Sequence, residues 1–160
     1  MQKVTILCTG KLKEKFYLDA VAEYVKRLNR FCKLEIIELP EERLPEDPSP
    51  AQIEAALSKE ADAVRAKLPN GCLVIAMCVE GRERSSEELA RYLADSAAQG
   101  ASHIVFLIGS SFGMHESLKR QAALRLSMSP MTFPHHLLRV MLLEQIYRAC
   151  QIAAGTKYHK

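Results

Sequence analysis

The sequence predicts an α/β fold on a mainly parallel sheet. Three observations predict it. Strand-like and helix-like segments alternate along the 160 residues, the pattern of βαβ units. Two runs, residues 72–79 and 103–108, are apolar nearly throughout, as strands are in the middle of a sheet covered on both faces. The segments between them carry apolar residues at helical spacing or open on helix-start signals.

Residues 4–9 form a short apolar run ended by Gly10, a first strand. Residues 13–30 place Phe16, Ala20, Tyr24, Val25 and Leu28 at helical spacing. Residues 34–39 alternate loosely around the β-branched Ile36-Ile37 pair, a second strand. Residues 40–50 are rich in proline and acid and read as a long loop, too short for a domain linker. Ser49, Pro50 and Gln52 then form a helix start, with Ser49 as N-cap, proline at the first position and Gln52 closing a capping box. That helix runs to about Leu68, where Pro69-Asn70-Gly71 ends it. After the strand at 72–79, residues 81–84 read as a polar loop. Ser85 and Glu88 make a second capping box, and Gly100 ends that helix. The strand at 103–108 leads to a Gly109–Gly113 loop, a helix over about 115–124 and a short strand near 126–128. A loop stiffened by Pro130 and Pro134 precedes a final helix over about 135–153.

No internal repeat, low-complexity tract or domain boundary interrupts this order, so residues 1–160 are expected to form one domain. Hydrophobic residues at 48% and charged residues at 26% match ordinary globular usage and exclude a disordered chain. No apolar run is long enough to span a membrane, and the first residues lack a signal peptide's pattern, so the expected location is the cytoplasm. Five cysteines without a CxxC pair read as reduced, mostly buried thiols; neither a disulfide framework nor a metal site is expected. The net charge of +3 is uneven. Residues 1–33 carry eight Lys/Arg against three Asp/Glu, residues 34–62 two against nine, and residues 63–160 twelve against seven. A basic front and back with an acidic middle fits a positive face for a polyanion, although charge alone favours an ordinary mixed surface.

Ligands of open parallel sheets bind beyond the carboxyl ends of the strands. Three loops are expected at that edge: 80–84, 109–113 and 129–134. Gly109 and Gly113 allow backbone to approach a ligand closely, but neither a dinucleotide fingerprint nor a phosphate-binding P-loop is present. On the last helix, at about 100° per residue, Arg139 falls within about 60° of both His135 and His136 and shares a stripe with Leu143, Ile146 and Cys150. An arginine heading an apolar stripe is either paired in an interface or aimed at an anionic ligand. The helix is apolar round much of its circumference, which suggests a homodimer contact. The tail at 156–160 holds Tyr158, which could stack on a base, and Lys157 and Lys160, which could meet phosphates.

Glu80-Gly81-Arg82 with Ser85-Ser86-Glu87, the Gly109-Ser110-Ser111-Phe112-Gly113 loop, the run from Leu126 through Met128, Ser129, Pro130, Met131, Thr132, Phe133 and Pro134 to Arg139, the Glu144-Gln145-Ile146-Tyr147-Arg148-Ala149 segment and the closing Tyr158-His159-Lys160 together resemble the RlmH family. These are bacterial ribosomal RNA methyltransferases of the SPOUT superfamily, and the resemblance covers the whole chain. It implies an α/β knot with a C-terminal trefoil knot, helices on both faces and a homodimer. It implies S-adenosylmethionine-dependent methylation at N3 of a pseudouridine in a stem-loop (helix 69) of 23S ribosomal RNA on assembled ribosomes. Cofactor contacts would be Met77, Gly109, Met128, Ser129, Pro130, Met131, Thr132 and Phe133. Arg139, Tyr158 and His159 match positions near the methyl donor and the RNA, with Arg139 as a cation for the developing N3 anion and His159 or His136 as proton acceptor. A non-catalytic ribosome-binding module and a transfer-RNA methyltransferase are the rival readings. The family usually has Gly-Gly where this chain has Gly109-Ser110; a left-handed backbone at 110 would cost a serine about 1 kcal/mol.

Overall fold

The computed structural model describes residues 2–158. Its elements, in order, are β1 (Lys3–Thr9), α1 (Lys15–Leu28), β2 (Lys33–Leu39), α2 (Pro50–Lys67), β3 (Leu73–Glu83), α3 (Ser86–Ala98), β4 (His103–Ile108), α4 (Glu116–Gln121), β5 (Leu124–Ser127) and α5 (His135–Ala153). The strands form one sheet in the order β2-β1-β4-β3-β5, and every strand pairing is parallel.

The central strand β4 explains why its sequence is apolar on both faces. Ile104, Phe106 and Ile108 point to a cluster with Leu28 of α1, Leu89 of α3 and Leu142, Leu143 and Ile146 of α5. Val105 and Leu107 point the other way, to Ala61 and Val64 of α2 and Leu118 of α4. Thus α1, α3 and α5 cover one face and α2 and α4 the other. Burying each large side chain of these clusters contributes roughly 1.5–3 kcal/mol.

Local signals set the helix starts. Ser49 Oγ accepts from Gln52 N at 3.2 Å while Ser49 N donates to Gln52 Oε1 at 2.8 Å. Ser85 and Glu88 repeat the exchange at 3.1 and 2.7 Å. Each satisfies amides that the first helical turn leaves without partners.

The structure corrects four boundaries. The first helix starts at Lys15 and stops at Leu28 instead of running from 13 to 30. Residues 81–83 are not loop: β3 continues through them to Glu83, pairing Arg82 with Leu126 and Glu83 with Ser127 after a register shift beyond Met77. Gly81 permits this, because a Cβ there would sit 2.8 Å from the backbone carbons of Arg125 and Leu126. Helix α4 is only six residues long with His115 as its N-cap, and β5 begins at Leu124, not Leu126. As expected from its apolar girth, α5 has no exposed residue between 135 and 152, and α1 and α3 flank it.

Candidate functional site

All five strands point the same way, so their carboxyl ends share one edge. A cleft of about 690 Å³ lies there. Its walls are the middle of β3 from Met77 to Glu80, the β4–α4 loop from Gly109 to Met114, and the β5–α5 loop from Met128 to Pro134. The size suits a nucleoside-sized ligand. Two of the three loops expected at this edge, 109–113 and 129–134, do converge; of the expected 80–84 loop only Glu80 lines the cleft, and residues 81–83 serve as strand.

Of the expected contacts, Met77, Gly109, Met128, Ser129, Met131, Thr132 and Phe133 line the cleft. Pro130 belongs to the same loop but is outside the lining. The loop is shaped by its own hydroxyls: Ser127 Oγ donates to Ser129 O at 3.0 Å, and Met131 N donates to Ser129 Oγ at 3.0 Å. Gly109 admits no side chain, because a Cβ there would lie 2.3 Å from the Gly113 carbonyl oxygen. That tight turn is closed by Ser110 N donating to Gly113 O at 3.0 Å and Gly113 N to Ser110 O at 2.9 Å. Ser110 does not take a left-handed backbone, since only glycines have positive φ among the described residues. The serine therefore carries no conformational cost. Its hydroxyl instead donates to Glu60 Oε1 at 2.8 Å.

Arg139 sits elsewhere. It is 1% exposed and outside the cleft lining. Its Nη1 donates to Glu38 Oε2 at 2.6 Å and its Nη2 to Gly10 O at 3.2 Å, so its charge is already matched. Glu38 also accepts from Leu12 N at 2.8 Å. Burial acts to raise the Glu38 carboxyl, but these hydrogen bonds and the arginine charge outweigh it and hold the pKa below its ordinary value. Of the two alternatives open in the sequence, pairing is the one seen, inside the chain.

Tyr158 lies against the carboxyl half of α5. Its ring meets Tyr147 edge-on at 4.9 Å, Arg148 stands over it at 5.2 Å, and its hydroxyl donates to the Glu144 carboxylate at 3.3 Å. From Leu138, which lines the cleft, to Tyr147 is nine residues of helix, about 14 Å. His159 and Lys160 lie outside the described residues. His136 faces away from the cleft lining, 3.5 Å from Glu14 and edge-on to Tyr17.

Sequence reasoning missed several polar groups around the cleft. His135 lines it; its Nδ1 is buried without a hydrogen-bond partner among the described residues, and burial, helped by the neighbouring His136, pushes its pKa down, which keeps the ring neutral. Lys119 and Glu80 are an ion pair at the rim, and the hydrogen bond from Lys119 holds the Glu80 carboxyl below its ordinary value. Glu60 and Glu41 hold the β4–α4 loop from behind, Glu41 Oε1 accepting from Ser111 N at 3.0 Å. For Glu60 a signal existed: it sits four residues from both Ala56 and Val64, on the buried stripe of α2.

The residues present fit a nucleoside-bearing cofactor: an apolar wall, a backbone turn with no room for a side chain, and few charges. A family model described as "Predicted SPOUT methyltransferase" matches residues 2–159. A protein named ribosomal RNA large subunit methyltransferase H from Streptococcus uberis is 46% identical over 158 residues, 99% of each chain. One of the same name from Bifidobacterium adolescentis is 45% identical with the same coverage. Among solved structures, a probable methylase family protein from Haemophilus influenzae has a TM-score of 0.56 at 13% identity, over 99% of this chain and 71% of that one. A probable methyltransferase from Bordetella pertussis also has 0.56 at 13%, over 93% of this chain and 96% of that one. The two structures speak to the fold alone. Fold, full-length family match and close relatives agree: the chain belongs to the SPOUT methyltransferase family, among the ribosomal RNA large subunit methyltransferase H proteins.

Proposed function

We propose that the chain is an S-adenosylmethionine-dependent methyltransferase of large-subunit ribosomal RNA. Its target in this reading is N3 of a pseudouridine in the helix 69 stem-loop of 23S RNA, on assembled ribosomes in the cytoplasm, and it acts as a homodimer with a trefoil-knotted C-terminal half. The observation that carries the reading, as far as large-subunit ribosomal RNA methylation, is the 46% identity, over 99% of both chains, to a protein named ribosomal RNA large subunit methyltransferase H. The convergence of Met77, Gly109 and the Met128–Phe133 loop on one cleft supports it.

When bound, S-adenosylmethionine supplies a sulfonium-activated methyl group. The residues provide position. Gly109, Met128, Ser129, Met131 and Thr132 offer backbone for adenine and ribose, Met77 and Phe133 offer apolar cover, and Pro130 stiffens the loop. The N3 imide must lose its proton as it attacks. His135, neutral and at the cleft, is placed to accept it in preference to His136. Arg139 is proposed to act one step back, tying α5 to Glu38 and to the Gly10 carbonyl beneath His135, whose Cε1 lies 3.0 Å from the space a Gly10 Cβ would fill. Tyr158, remote from its own chain's cleft, is assigned with His159 to the RNA surface of the partner's cleft.

The non-catalytic alternative rested on Ser110, and an unstrained backbone there removes that support. The test is transfer of a labelled methyl group to purified intact ribosomes and to naked RNA, with the modified nucleotide mapped by mass spectrometry. Label on a pseudouridine of intact ribosomes is expected; no label on either substrate refutes the enzyme reading. Removing residues 158–160 should abolish transfer but not cofactor binding, and unchanged transfer would take the tail out of the site.

A further inference from the structure

The cleft's least economical feature lies behind it. Glu60 is 7% exposed, and among the described residues its carboxylate has no cation for a partner. It accepts from the Ser110 hydroxyl at 2.8 Å through Oε1 and from the Glu42 amide at 3.0 Å through Oε2. Withdrawing a carboxylate from water without a counter-charge is costly. Burial pushes its pKa up, Glu41 and Glu42 add to the rise, and only the two hydrogen bonds oppose it. A sequence concerned with stability alone would place an apolar residue or an amide between Ala56 and Val64 on this stripe.

The two bonds reach residues far apart in the chain: Ser110 is 50 positions from Glu60, and Glu42 is 18. Glu41, from the same acidic loop, adds a third attachment at the Ser111 amide. On its other side the 109–113 turn forms a wall of the cleft. The turn has no slack, because Gly109 and Gly113 are already in contact. A small shift at Ser110 therefore moves the wall as a unit.

We infer that Glu60 is a positioning residue of the cleft: through Ser110 and the Glu42 amide it holds the Gly109–Gly113 wall in the shape that admits a nucleoside-bearing ligand, and so it sets cofactor affinity without touching the cofactor. This rests on the cofactor reading proposed above.

The test uses the full-length protein, calorimetry with S-adenosylmethionine, steady-state methyl transfer and amide hydrogen exchange without ligand. Glu60→Gln keeps size and an acceptor for the Glu42 amide, but removes the charge and meets the Ser110 hydroxyl with an NH2, so that the hydroxyl must turn to accept. It should raise the Kd and the KM for S-adenosylmethionine about tenfold, the worth of one charge-assisted hydrogen bond. It should leave kcat at saturating cofactor within about twofold and should not lower the thermal midpoint. A merely structural anchor would show the opposite pattern, a lowered midpoint with unchanged affinity. Ser110→Ala should weaken binding too, and adding it to Glu60→Gln should weaken binding by less than the product of the two. A Glu60→Gln protein with wild-type affinity, or strictly multiplicative effects of the pair, overturns the inference. If Glu60→Gln does not fold, Ser110→Ala decides it in the same way. Wild-type protein that binds no S-adenosylmethionine refutes the cofactor reading instead; faster exchange of the Ser110 and Gly113 amides in Glu60→Gln then supports the clamp, and unchanged exchange overturns it.

Discussion

Replacing Arg139 by Met tests how the chain ties its last helix to its first strands. Methionine keeps much of the stem volume and removes the guanidinium. Glu38 loses its 2.6 Å partner and the Gly10 carbonyl loses its 3.2 Å donor. Breaking a buried pair from one side costs about 3–5 kcal/mol when the remaining charge stays buried. The Glu38 side chain is 33% exposed, so water recovers part of this, and the Arg139 Nε, buried without a partner among the described residues, no longer has to be desolvated. Losing the bond to Gly10 adds about 1 kcal/mol. The expected net loss is about 2–3 kcal/mol, a fall of roughly 5–10 °C in the melting midpoint of a domain this size. Urea unfolding with an unchanged m-value measures it. Adding Glu38→Gln to Arg139→Met should cost less than the sum of the single changes, because the orphaned charge is gone. The folded pKa of Glu38 lies below its ordinary value of 4.5, so its contribution is present above that value and is lost as pH falls through the folded pKa. The gap between wild type and Arg139→Met should therefore narrow below about pH 4.5. A loss under about 1 kcal/mol at pH 7, or strict additivity, would show that the pair is not what holds this junction.

Gly109→Ala should reduce S-adenosylmethionine binding by more than about tenfold in calorimetry, since a methyl group 2.3 Å from the Gly113 oxygen forces the turn open; wild-type affinity would mean that the turn is not a binding wall. The His135 ring should titrate below its ordinary value of 6.5 in an NMR titration, and His135→Ala should depress kcat more than cofactor affinity; a pKa above 6.5 would remove its case as proton acceptor at neutral pH. Ser85→Ala should cost about 1 kcal/mol of stability in urea unfolding by deleting the capping box of α3, with methyl transfer unchanged. The Cys8 thiol, pushed up to about 12 by burial, should resist alkylation in the native protein at pH 8 and react once urea unfolds it.

Much of the molecule was legible because its signals are local. The capping boxes at Ser49 and Ser85 are satisfied within four residues, and both form as read. The 103–108 run announced a central strand because a sequence apolar on alternate and intervening positions has two faces to bury. Parallel strands sharing one edge made it possible to name two loops of the cleft, 109–113 and 129–134, and seven of the eight expected contacts line it. Residues 80–83 misled because Glu80, Arg82 and Glu83 are polar: only the backbone of β5 alongside makes them strand.

Element order, the two capping-box helix starts and the loop chemistry of the cleft were determined by the sequence itself, since each depends on neighbours a few residues away. The partners of Arg139 and Ser110 were decided by tertiary structure alone. Glu38 is 101 positions from Arg139, and Glu60 is 50 from Ser110. An arginine on an apolar stripe advertises that it needs a counter-charge but not which one, and a loop serine advertises a donor but not its acceptor. Burial raises the stakes of such pairings, and only the folded chain brings the carboxylates within reach.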